Sequence, residues 1–254
     1  MRVWAIALNT FREAVRDKIL YSLLFFALLM MGSSVLVGKL TLGDYTKIIM
    51  DVGLAAISFF GVLISIFVGI QLVSREIERR TIYTVLSKPL PRWEFVLGKY
   101  LGLSFTLSIQ VLIMSVGLWV LIYAVSDQWA FWLWPVLLLI LLELLLLTAF
   151  AILFSCFTTP TLSGLFSISV YVIGHLTLDL KQFGQEAESV WIQQLSQGVW
   201  YVLPNLENFN LKNEIVHRVP LASGQLSFAI GYGILYTAVV LAAATALFER
   251  RDLK

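Results

Sequence analysis

Apolar residues in this chain gather in long unbroken runs separated by short polar stretches, without the strict alternation of a half-buried strand. About 20 predominantly apolar residues carry a helix across a bilayer. Six such runs can be marked, at roughly 19–38, 52–73, 100–125, 131–156, 162–178 and 226–248. Membrane strands would alternate, so the pattern predicts an all-α integral membrane protein. Its six transmembrane helices form one transmembrane domain over residues 1–254.

The residues before the first run follow a different period. In MRVWAIALNTFREAVRDK, Val3, Trp4, Ala7, Leu8, Phe11, Ala14 and Val15 fall on one side of a helix, and Arg2, Asn9, Arg12, Glu13 and Arg16 fall largely on the other. Such a helix lies in the membrane interface. Because it leads straight into a span, it is expected to act as an elbow bracing that span; anchoring to anionic lipid is the alternative. The first run is too long for the apolar region of a secretory signal and lacks a small-residue cleavage site, so it is expected to be retained.

Residues 179–225 form the longest polar connection. Within them Trp191, Leu195, Val199 and Val202 recur at helical spacing and predict a short helix lying on the outer leaflet, whereas 205–213 reads as loop. A cap over the outer mouth is the simplest role for this external segment. Contact with substrate or a periplasmic protein is the alternative.

Composition sharpens the membrane assignment and charge adds a direction to it. Of 254 residues, 59% are hydrophobic and 13% charged, with mean hydropathy +0.86, far from the values of soluble domains. Lys and Arg are retained on the cytoplasmic side during insertion. With the N-terminus inside, 13 of the 18 basic residues face the cytoplasm, and only Lys39, Lys47, Lys181, Lys212 and Arg218 lie outside. The expected topology is therefore N-in and C-in.

The densest charge sits in SREIERRTIYTVLSKPLPRWEFVLGKY, Ser74 to Tyr100, between the second and third runs. The second span can continue into the cytoplasm as a charged helix, with Glu76, Arg79, Arg80 and Tyr83 on one broad face. Pro89 and Pro91 disfavour helix for the residues before them, and Pro91 suits the first turn of a new helix entering the third span. A bent protrusion carrying charge and aromatic rings fits a docking element for a cytoplasmic partner.

No catalytic constellation accompanies it. HExxH, GxSxG and paired Cys or His clusters are absent, and Gly98-Lys99 does not form a phosphate loop, because Trp93 stands where that loop needs Gly and Tyr100 where it needs Ser or Thr. Cys156 is the only cysteine, and the two histidines, His175 and His217, would need carboxylate help to hold zinc. The chain is read as non-enzymatic, with no cofactor or metal of its own.

One acid lies deep in a span: Glu143, whose ionised form costs roughly 2.5 to 3.5 kcal/mol at a helix centre. The fourth and fifth runs are joined by the Thr158–Thr161 turn. Glu143 stands about 16 residues before its centre and His175 about 16 after, so both lie at one depth, about 20 to 25 Å from the turn. Asp179 follows His175 by four residues and shares its helix face. A cluster of Glu143, His175 and Asp179 is expected, either as a static polar clasp or in substrate passage or proton handling.

The residues Ser74, Arg75, Glu76, Arg79, Thr81, Leu86, Pro89, Arg92, Glu94, Gly98 and Lys99, with the amphipathic elbow, the FTTPTLSG turn and the external segment, resemble the permeases of ABC-2 type ABC transporters. The likeness is greatest to the branch that includes the permease of nitrous oxide reductase maturation. It implies a non-catalytic membrane subunit of a prokaryotic cytoplasmic membrane, paired with a second permease copy or paralogue and with two ATPase subunits that bind ATP and Mg. It implies no nucleic-acid partner. Residues 74–99 would be the coupling region, with Glu76, Arg79, Thr81, Pro89, Arg92, Gly98 and Lys99 inheriting the coupling role. Arg80 departs from the family pattern, which has a small residue there, often Gly. The rival readings are a classical importer permease, of whose loop only SKPLP is an echo, a secondary transporter, and a membrane anchor or signalling subunit acting on a periplasmic partner.

Overall fold

The computed structural model describes residues 2–40, 44–78, 91–186, 189–220 and 224–250. Every regular element among them is helical: α1 (Arg2–Val15), α2 (Lys18–Leu40), α3 (Tyr45–Glu78), α4 (Arg92–Ser126), α5 (Trp134–Ser155), α6 (Pro160–His175), α7 (Thr177–Glu186), α8 (Val190–Val202), α9 (Lys212–Val216) and α10 (Gln225–Arg250). Phe131–Leu133 and Leu206–Phe209 form 3₁₀ turns. Local chemistry sets several of the ends. Pro160 opens α6 after an extended Thr159, and Asp127 closes α4 in the left-handed conformation, with φ 51° and its N–H donating to Tyr123 O.

Five of the six predicted runs become helices long and apolar enough to cross a membrane: α2, α3, α4, α5 with the turn before it, and α10. The fifth run forms α6, whose 16 residues span about 24 Å, less than the roughly 30 Å hydrocarbon core of a typical bilayer. It stops at His175 because Leu176 leaves helical geometry at φ −90° and ψ 5°, and the chain restarts as α7. Residues 176–178 therefore do not continue that span.

The centre of the bundle is α3 against α5. Buried residues run along α5 from Val136 to Ser155 on all its sides. A Cβ at Gly61 would lie 2.5 Å from Leu144 Cδ1, so glycine lets α3 and α5 approach this closely without displacing the Leu144 side chain. At the periphery, α2 exposes Phe25, Phe26 and Leu36 and α10 exposes Phe228, Leu235 and Val239. Without water as the alternative solvent, such faces are stable against lipid or another apolar helix.

The 179–225 segment differs from the sequence expectation. The predicted surface helix is present as α8, and Trp191 and Val202 on it are exposed. Residues 205–213, however, are not a surface loop. Leu206 and Phe209 are fully buried and Leu211 nearly so. The segment inserts into the bundle because Gly174 leaves room for it: a Cβ there would meet Leu206 Cγ at 2.7 Å. Two tyrosines of α10 complete the docking. Tyr232 Oη accepts from Asn205 N at 2.9 Å, and Tyr236 Oη donates to Val202 O at 2.7 Å.

Candidate functional site

The start of α4 is where several residues of the predicted coupling region converge. Arg92 donates from Nη1 to Phe248 O at 2.6 Å and to Glu249 O at 3.0 Å, and its guanidinium lies 5.7 Å from the centroid of the Phe248 ring. Phe248 in turn stacks on Phe95 at 5.6 Å. A cation on the last carbonyls of a helix satisfies orphan acceptors and complements the helix dipole. Arg92 thereby ties the entry of α4 to the last turn of α10.

Gly98 and Lys99 face the other way, toward α1. A Cβ on Gly98 would stand 2.7 Å from Ile6 Cβ, and one on Gly102 2.5 Å from Ala7 O. The spacing of Gly98 and Gly102, four apart in GKYLG, makes a groove in α4 that accepts the small stripe Ala7, Thr10 and Ala14, all buried. Bulky Trp4 stays 65% exposed. The elbow thus braces the bundle with Ala7 and Ala14 of the expected apolar face together with Thr10, while Trp4 of that face stays outside. Lys99 is 1% exposed, with Nζ 3.8 Å from Glu13 Oε2 on α1. Glu76 lies in the last turns of α3. Arg79, Arg80, Thr81, Tyr83 and Pro89 lie outside the described residues.

The second site is inside the bundle. Glu143 on α5 is 2% exposed, and its Oε1 stands 3.5 Å from His175 Nε2 on α6. That separation is long for a hydrogen bond, and Oε1 has no hydrogen-bond partner among the described residues. His175 Nδ1 lies 3.2 Å from Tyr171 O. A carbonyl only accepts, so Nδ1 carries the hydrogen of that bond, and Nε2 of a neutral ring presents a lone pair to Glu143. A neutral ring and an ionised carboxylate would then face each other acceptor to acceptor. One proton resolves this, placed either on Nε2 or on the carboxyl, so the geometry is that of a one-proton pair.

Asp179 does not complete the predicted triad. The i, i+4 relation to His175 holds only on a continuous helix, and the break at Leu176 separates the two; Asp179 is exposed in the first turn of α7 and no ion pair joins it to His175 among the described residues. The charges that act on Glu143 come instead from Lys212 and Glu207 of the inserted 205–213 segment. Glu207 Oε1 accepts from Asn210 Nδ2 at 2.9 Å. Burial lowers the Lys212 amine below the usual lysine range, against the opposing pull of the Glu143 and Glu207 carboxylates. No sequence signal pointed to these partners: the apolar spacing of Leu206, Phe209 and Leu211 reads the same on a surface as in a core. Among the described residues no group of three or more His, Cys, Asp and Glu is placed to hold a metal.

Two features therefore stand out: a junction where the start of α4 meets α1 and the end of α10, and a buried acid beside a histidine and within the field of an inserted lysine. Among curated proteins, no sequence matches the chain significantly. The family model of the ABC-2 family transporter protein matches residues 4–253, nearly the whole length. The chain belongs to the ABC-2 transporter family, and so is a membrane permease component of an ABC transporter, a family that implies pairing with an ABC ATPase subunit.

Proposed function

We propose that this permease is driven by a separate cytoplasmic ATPase whose movement enters through residues 74–99 and leads to export or mechanical transmission across the membrane. The observation that carries this reading is the length of α3. Its 34 residues extend about 51 Å, well beyond a hydrocarbon core of about 30 Å. The excess ends in SREIE, on the side where α1, the start of α4 and the end of α10 meet. Movement applied there would reach three helices at once. Gly98 and Lys99, covered by α1, take part through the elbow rather than by touching the ATPase.

The same reading includes six spans with both termini cytoplasmic, a second permease copy or paralogue against the apolar faces, two ATPase subunits that hold ATP and Mg, and a place in a prokaryotic cytoplasmic membrane. Membership of the branch containing the nitrous oxide reductase maturation permease is part of the proposal, supported by the residues of 74–99. Glu143 and His175 are assigned a polar tie between α5, α6 and the external segment. Proton handling by Glu143 and His175 within the permease is the second reading, favoured by the one-proton geometry of that pair.

Copurification of an ATPase with the tagged chain tests the proposal. Arg79→Glu and Glu76→Ala are expected to abolish nucleotide-dependent activity of the complex while leaving membrane insertion intact. An unchanged hydrolysis rate in both variants, or transport that persists without any ATPase, would overturn it.

A further inference from the structure

At the end of the bundle opposite the start of α4, a cavity of about 460 Å³ is lined by Asp44, Lys47, Gln128, Trp132, His217 and Arg218, among others. A second concavity of about 610 Å³ adjoins it, lined by Trp132, Pro135, Ile215, Arg218 and Val219. The first carries most of the polar side chains and the second is largely apolar, and they share the wall formed by Trp132 and Arg218. The Arg218 guanidinium lies 4.5 Å from the Trp132 ring centroid, a cation–π stack.

Arg218 holds that position in an unfavourable backbone conformation. Its φ is 54°. Arg218 N donates to Ile215 O at 3.1 Å and Val219 N to Glu214 O at 2.7 Å, the paired bonds of a helix end that glycine ordinarily closes. An arginine there sacrifices local stability, and what it contributes is a guanidinium fixed at the junction of the two cavities. Among the described residues no carboxylate lies within ion-pair distance of it. Of the neighbouring acids, Asp44 is engaged by Lys47 at 2.7 Å, and Asp51 lies within the field of His217.

The surroundings mark the depth of a lipid headgroup. Tyr123 stacks on Trp129 at 4.5 Å, and Trp129 on Phe131 at 5.4 Å; all three rings are exposed, as is Trp134. Exposed Trp and Tyr of this kind gather at the membrane–water boundary.

The geometry points to a binding site for one anionic phospholipid of the adjacent leaflet, its phosphate on Arg218 and His217 and an acyl chain along Pro135, Ile215 and Val219. A free anion would use only the polar cavity. A neutral zwitterionic lipid would bring its own cation to an already positive wall.

The test uses the full chain in nanodiscs of phosphatidylglycerol or phosphatidylcholine, read by thermal unfolding, with native mass spectrometry for retained lipid. Phosphatidylglycerol is expected to raise the unfolding temperature and to be retained. Arg218→Gly suits the left-handed backbone, so it should unfold at or above the parent temperature in phosphatidylcholine. It should bind phosphatidylglycerol about fivefold more weakly, the loss of one basic contact with anionic lipid. Arg218→Asn, the other neutral residue that tolerates this conformation, should behave alike. Equal stabilisation by both lipids, full phosphatidylglycerol binding by both variants, or the same shift with inorganic phosphate alone would overturn the site.

Discussion

His175 Nε2 stands 3.5 Å from Glu143 Oε1 between two antiparallel helices, with His175 Nδ1 committed to Tyr171 O. The tie needs one proton, and this gives Glu143 variants distinct outcomes. Glu143→Gln carries an N–H that can donate to Nε2 without a titrating proton, so its stability should lie within about 1 kcal/mol of the parent. Glu143→Leu leaves the ring nitrogen without a donor and removes one of the two carboxylates that act on Lys212, and should cost about 1 to 3 kcal/mol. Unfolding in detergent measures both. If the pair also handles protons, Glu143→Gln loses transport while keeping stability; if transport and assembly survive both changes, the pair has no functional role.

Lys212 predicts a pH dependence. Its native value is lowered by burial, so between that value and the ordinary lysine range the unfolded chain binds the extra proton. Stability should therefore rise with pH across this interval and stay flat below it. Lys212→Met should abolish the rise, as measured by unfolding temperature against alkaline pH.

The groove under α1 predicts a steric effect. At Gly102 an added Cβ meets the Ala7 carbonyl, which is backbone and cannot rotate aside. Gly102→Ala should cost about 1 to 3 kcal/mol, as overpacking does. Loss of cysteine cross-linking between α1 and α4 would report the displaced elbow directly.

Arg92 predicts a local opening of the last helix. Arg92→Met removes the donor to Phe248 O and Glu249 O, and because the site is partly solvated the loss should be about 1 to 2 kcal/mol. Hydrogen exchange should accelerate in the final turn of α10 and not at its start. Uniform acceleration along α10 would mean that Arg92 does not act as its clamp.

Much of the helical architecture was legible because the physical cause is local. Without water in the bilayer, backbone groups must be satisfied within the segment, so a long apolar run has few options besides helix. The depth match of Glu143 and His175 was legible for a related reason: a short turn and a fixed rise per residue place both. Asp179 was misplaced because periodicity carries no sign of the break at Leu176, a residue of ordinary helix propensity. The burial of Leu206, Phe209 and Leu211 was hidden because a short apolar spacing inside a polar segment looks the same on a surface or in a core.

By itself the sequence determined the solvent of this protein, the runs that must be helical, the amphipathic elbow and the concentration of charge between α3 and α4. Each follows from the hydropathy or rise of a single segment. Only the tertiary structure decided which face of α1 is buried, that Arg92 holds α10, that Lys99 is enclosed, and that Lys212 reaches the field of Glu143. These depend on how closely separate helices approach, and that distance is set by small residues such as Gly98, Gly102 and Gly174 meeting partners far away in the chain.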